Sequence, residues 1–170
     1  MIKVFILTLI LTAGISVITE TLTKSLSIPV AVFIILVIIL IGILTDIIGI
    51  AFATCDHKPF ISMASKKIKK AKKALRLLQN ADIVSNICGD VIGDVCGIVS
   101  GAAGVTVAVK LAVDAKSAAE IIYTIAVSSI IAAVTVAGKA AGKSFAIRNN
   151  KKIVGSVSYM LSFFLREPKQ

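Results

Sequence analysis

Four long apolar stretches dominate the chain. Hydrophobic residues run almost unbroken over 4–18, 28–53, 83–109 and 121–141, with polar connections between them. A helix needs roughly 20 predominantly apolar residues to cross about 30 Å of hydrocarbon, so the pattern predicts four membrane-spanning helices. The first stretch is the shortest and follows Lys3, as a signal-peptide core would. No clean small-x-small cleavage site comes after it, because Thr19, Glu20, Thr21 and Leu22 follow, and a retained anchor helix is the preferred reading. Two other segments are amphipathic. In 65–80, Ile68, Ala71, Leu75 and Leu78 share one helical face and lysines cover the other. In 153–165, Ile153, Val157, Met160, Leu161 and Phe164 form a stripe opposite Gly155, Ser156, Ser158, Tyr159 and Ser162. Both patterns predict helices lying in the membrane interface, apolar side down. The expected fold is thus an all-α integral membrane protein with four transmembrane helices. An N-terminal anchor helix and external turn occupy 1–27, and a membrane module occupies 28–170.

Composition agrees with the pattern. Hydrophobic residues make up 57% of the 170, well above the share in a soluble domain. Mean hydropathy is +0.97. Only 16% of residues are charged, yet the net charge is +10, which places basic segments beside a membrane rather than in a disordered tail. Three cysteines imply no disulfide framework, and a single histidine without Cys/His spacing argues against structural zinc.

Charge then predicts orientation. The 57–80 connection holds Lys58, Lys66, Lys67, Lys69, Lys70, Lys72, Lys73 and Arg76. The tail holds Lys143, Arg148, Lys151, Lys152, Arg166 and Lys169, whereas the other two connections are nearly neutral. The positive-inside rule places both basic segments, and with them both termini, in the cytoplasm of a multi-pass plasma-membrane protein. Lys66, Lys67, Lys69, Lys70, Lys72 and Lys73 are expected to meet anionic lipid headgroups. No aromatic or base-reading pattern accompanies them, so nucleic acid is not an expected partner.

The third stretch carries the candidate chemistry. Gly89, Gly93, Gly97 and Gly101 recur every four residues and make a side-chain-free groove for close helix packing, within one chain or between two. The groove would also bare backbone carbonyls to an ion. Asp90 and Asp94 lie beside it, one turn apart. Asp46, on the antiparallel second span, falls at a similar depth. Thr45, Ser85 and Asn86 add oxygen or amide groups nearby. A carboxylate in hydrocarbon costs at least about 2.5 kcal/mol, and three together need compensating positive charge. That charge is a bound cation, a proton, or a basic residue from the fourth span such as Lys139. Hard oxygen ligands suit Mg²⁺, Ca²⁺ or Mn²⁺. Cys88 and Cys96 are read as core packing. Cys55, Asp56 and His57 could bind a soft metal at the membrane exit, although Pro59 more simply ends the second span there. A membrane-facing Ser/His/Asp set, HExxH and a phosphate loop are all missing, and an enzyme is not expected.

The order of these motifs resembles the transmembrane module of the CorB/CorC/CNNM magnesium transporters, in a short form without CBS domains. The family run A-x-x-A-L-x-L-L-x-N-P-D is matched over 71–82 by A-K-K-A-L-R-L-L-Q-N-A-D. Its G-N-x-x-x-N stretch is matched by Gly89-Asp90-Val91-Ile92-Gly93-Asp94, with Asp at both Asn positions. Its late G-E-x-x-P-K and R-N-P-E-x-I motifs align with Gly138-Lys139-Ala140-Ala141-Gly142-Lys143 and Arg148-Asn149-Asn150-Lys151-Lys152-Ile153. Lys139 and Gly142 replace the family's Glu and Pro. The resemblance implies magnesium transport or binding through Asp46, Asp90 and Asp94, with Mg²⁺ as the cation, and a homodimer. It also implies nucleotide-sensing regulation that is absent or supplied by a separate regulatory chain. A non-transporting membrane scaffold or regulatory subunit derived from the same fold is the alternative.

Cysteines engineered at positions 69 and 169 should resist membrane-impermeant labelling in intact cells, whereas one at 116 should be modified. External labelling at 69 would overturn the topology.

Overall fold

The computed structural model describes residues 2–66, 69–112 and 117–164, with side chains over 5–66, 73–112 and 121–160. In chain order the helices are α1 (Ile2–Ser25), α2 (Ile28–Thr54), α3 (Lys58–Ser65), α4 (Lys69–Leu78), α5 (Ala81–Ser85), a π-helical segment (Asn86–Gly93), α6 (Asp94–Leu111) and α7 (Ser117–Phe164). Among the described residues there is no strand. Among the described residues, four helical runs are long and apolar enough to span a membrane: Phe5–Ser25, Ile28–Thr54, Ala81–Leu111 and Ile121–Met160.

Local sequence explains the breaks. Pro29 sits in the first turn of α2, where a missing N–H leaves no bond unmade. The helix stops at Cys55, which turns extended, and the Asp56 carboxylate then accepts the Lys58 N–H at 3.0 Å. Pro59 opens α3 in the same way.

Side-chain pairings set the topology. Gly42 of α2 meets Gly93 and Cys96, and Gly49 meets Ser85 and Gly89, so α2 and the third span are antiparallel. Gly138 and Gly142 of α7 meet Ile43 and Ile47, so α7 runs parallel to α2. Helix α2 is therefore the centre of the bundle, touching the π segment, α6 and α7, while α1 leans mainly on α6. Two apolar cores lie along α2. At one end Ala31, Ile35 and Ile39 pack with Ala103 and Val107 of α6. At the other, the basic end, Ala51, Phe52 and Cys55 pack with Phe60, Ala74, Leu78, Ala146 and Val154. The outward faces are apolar instead of polar: Phe5, Ile125 and Val136 are 69%, 61% and 67% exposed. An apolar girdle of this extent is what lipid, not water, would cover.

Two sequence expectations change at the basic end. The apolar face of α4 does not point away from the protein: Ala74 and Leu78 are buried, and Leu75 and Leu77 pack against the same core. Protein, rather than lipid, thus receives this face. Lys66 is exposed and Lys73 is half-buried. Lys67 lies outside the described residues, as do the side chains of Lys69, Lys70 and Lys72. The 153–165 segment is not a separate interfacial helix. It continues α7 beyond a kink at Asn149, whose φ of −113° and ψ of 17° interrupt the helix. Its buried side is also displaced by about one residue from the expected stripe. Val154 and Ser158 are buried, and Met160 is exposed. The side chains of Leu161 and Phe164 lie outside those described.

Among the described residues, three helix C-termini are capped by side chains from other elements. The last carbonyls of a helix lack intrahelical donors, and cations are favoured there. Lys110 of α6 donates to the carbonyls of Thr23 and Leu26 at 2.5 and 2.7 Å, closing α1. Asn150, beside the α7 kink, donates to the Thr54 carbonyl at 2.9 Å, closing α2. His57 Nε2–H donates to the Leu78 carbonyl at 2.9 Å, closing α4.

The four-residue glycine repeat does not act as one groove. Gly89 and Gly93 lie against α2, whereas a Cβ at Gly97 or Gly101 would meet nothing within 4 Å. A Cβ at Gly49 would stand 3.0 Å from the Ser85 carbonyl and 3.1 Å from the Gly89 nitrogen, both backbone atoms. Gly49→Val should therefore cost about 1–3 kcal/mol in detergent unfolding. Gly97→Leu should leave the stability of a single chain unchanged, so any effect on oligomeric state reports a second copy at that face. Equal losses at both positions would refute this division of the repeat.

A candidate charged site inside the helix bundle

Asp46 and the charged groups around it lie between the two apolar cores. Asp46 stands eight residues before the end of α2, about 12 Å along its axis. Its carboxylate lies over the backbone of the third span. The Cβ position at Gly89 is 3.4 Å from Asp46 Oδ1, and that at Gly93 is 3.8 Å from Asp46 Cβ. Larger residues at 89 or 93 would push the carboxylate away, so these glycines make room for a charge as well as for a helix.

The third span is π-helical here. The wider turn covers Asn86–Gly93 and ends one residue before Asp94. Such turns are rare and occur often at functional sites. Asp90 lies within the π segment and Asp94 is the first residue of α6, still about one turn apart. Both are exposed in the bare protein, while Asp46 is half-buried.

The positive charge comes from α7. Lys139 Nζ donates to Asp94 Oδ1 at 2.8 Å, an ion pair joining α6 to α7. Lys139, Asp94, Asp90 and Lys143 all lie within electrostatic reach of the Asp46 carboxyl. Three carboxylates and two ammonium groups thus form one cluster, with one negative charge in excess when all are ionised. Of the three ways of balancing the aspartates, the lysine serves Asp94. Among the described residues, no three His, Cys, Asp or Glu side chains stand close enough to hold one metal ion.

The accessory groups are disposed differently. The Thr45 hydroxyl donates back to its own helix, to the carbonyls of Ile41 and Gly42, each at 3.0 Å. Ser85 is level with Gly49, about one turn closer to the basic end than Asp46. Asn86 is exposed where the π segment begins. Cys88 and Cys96 fill the space over Gly49 and Gly42, as core packing would have them. Cys55, Asp56 and His57 are each engaged separately. Cys55 is buried, which pushes its thiol up from the ordinary value, with Lys151 opposing. Asp56 caps the Lys58 N–H, and His57 caps α4.

Sequence reading overlooked Gly42 and Gly49, and assigned Lys143 to the basic tail and not to the neighbourhood of Asp46. A signal was present in Gly42-x-x-x-Asp46-x-x-Gly49, which brackets the carboxylate with small residues on neighbouring turns.

The ion pair generates a test by double-mutant cycle. Asp94→Asn and Lys139→Met should each lower thermal stability in detergent. The double variant should lose less than the sum, by a coupling on the order of 1 kcal/mol. Strict additivity would show that the pair does not join the helices in solution.

No family model, curated protein or solved structure matches the chain.

Proposed function

We propose that the protein binds or transports a divalent cation, magnesium by its resemblance, in the plasma membrane. Both termini are cytoplasmic in this reading, and Asp46, Asp90 and Asp94 are the cation-facing groups. The observation that carries it is the Lys139–Asp94 pair beside two further carboxylates. An ammonium on a flexible stem is a tethered cation, and it marks a place built to hold positive charge. A site for hydrated Mg²⁺ does not need three converging carboxylates. Mg²⁺ keeps several waters and commonly uses one or two carboxylates, whereas Ca²⁺ favours a fuller oxygen cage. Lys139 then balances the cluster when the cation is away and yields Asp94 when it arrives. A homodimer would use the open face at Gly97 and Gly101, or the exposed small residues Ala132, Ala133 and Ala137. Gly138 is occupied by Ile43 of the same chain.

The second reading is a non-transporting scaffold in which Lys139 neutralises the cluster permanently. It is favoured by the lack of a three-ligand group among the described residues.

Thermal unfolding with added Mg²⁺, at constant ionic strength, separates the two. A ligand that binds only the folded state raises its apparent stability, by about 2.7 kcal/mol at 100 times Kd. The cation reading expects stabilisation of the wild type, loss of it in Asp46→Asn and Asp94→Asn, and tighter apparent binding in Lys139→Met. The scaffold reading expects no response beyond that to an equal ionic strength of NaCl, in any variant.

A further inference from the structure

A groove of about 620 Å³ opens at the basic end, between α3 and the part of α7 beyond the kink. We propose that it binds the headgroup of an anionic glycerophospholipid. The inference rests on the membrane reading and is independent of the cation reading.

Position comes first. Asn150 is tied to the last carbonyl of α2. Lys151 and Lys152 follow directly and line the groove. Helix α2 has 27 residues, about 40 Å, against about 30 Å of hydrocarbon, so its end reaches the headgroup layer. The two lysines therefore stand at the depth of lipid phosphates.

Charge and shape point the same way. Both lysines are exposed, and neither has a carboxylate partner among the described residues. The opposite wall is apolar, formed by Phe60 and Met63 of α3, and Tyr159 adds a half-exposed aromatic ring of the kind enriched at membrane interfaces. Two ammonium groups beside an apolar wall match a phosphodiester joined to glycerol and the first acyl methylenes. Basic pockets between membrane helices suit such headgroups. A free phosphate would use the lysines and leave the wall bare. The contact also differs from general attraction to the lysine-rich 65–80 segment, because it requires an open groove. Gly155 keeps it open: a Cβ there would meet nothing within 4 Å, so a larger side chain would enter the groove without disturbing the core.

The test uses the full chain in an uncharged detergent, with native mass spectrometry counting bound lipid. Phosphatidylglycerol and phosphatidylcholine of equal acyl length are added in parallel. One phosphatidylglycerol should be retained in preference to phosphatidylcholine. Lys151→Gln with Lys152→Gln should weaken it on the order of 30-fold, from about 1 kcal/mol per lysine. Gly155→Leu should abolish it with thermal stability unchanged. Lys66→Gln with Lys67→Gln, an equal loss of charge, should change it little. Equal retention of the two lipids, equal loss in both lysine pairs, or full retention in Gly155→Leu would each overturn the proposal. Displacement of the lipid by millimolar inorganic phosphate would also overturn it, assigning the site to a soluble anion.

Discussion

A carboxylate among apolar helices needs a counter-charge, and in this bundle Lys139 provides one for Asp94. The two residues come from different spans, so the pair sets α6 and α7 at a common depth. That depth is also the level of Asp46. The packing along α2 is arranged around it. One apolar core lies toward the start of α2 and another at the basic end, with the charged cluster between them. Apolar contacts alone would let helices slide past one another, because Ile and Val side chains on successive turns are interchangeable partners. An ion pair between two named side chains has one register.

Close approach of the helices makes this level accessible. Gly42 and Gly49 let α2 reach the backbone of the third span, and Gly89 and Gly93 answer from the other side. Glycines with no Cβ allow van der Waals packing of backbone on backbone, which is the main attractive force between helices that lipid would otherwise separate. Asp46 lies in the middle of that contact, and its carboxylate rests beside peptide groups in place of bulky side chains.

The ends of the helices follow the same economy of polar groups. Lys110, Asn150 and His57 each close a helix that is not their own. Each bond satisfies a carbonyl left without an intrahelical donor, and each ties two elements together. At the basic end these ties assemble α2, α3, α4 and the α7 kink around one core. The resulting surface is a folded platform with a basic groove instead of a loose lysine-rich loop.

The order of apolar and polar residues by itself determined the all-helical architecture and the four candidate spans, because a run of some 20 apolar residues has few other stable outcomes. It also marked Asp46, Asp90 and Asp94 as costly, and Lys139 as one means of offsetting that cost, because insertion energies depend on residue type and depth. The tertiary structure alone decided the rest. Ser158 was assigned to the polar side of its helix by periodicity, yet it is buried, because the kink at Asn149 rotates the segment before it packs. The apolar face of α4 found a protein core, since periodicity says that a face will be covered and not by what. Gly89 and Gly93 lie within the π-helical segment and Gly97 and Gly101 in the regular α6 that follows, so the change of period at Asp94 alters which way the later glycines face. A change of helical period has no composition signal, so which glycines would meet α2, and which would stay open, depended on the partner helix itself.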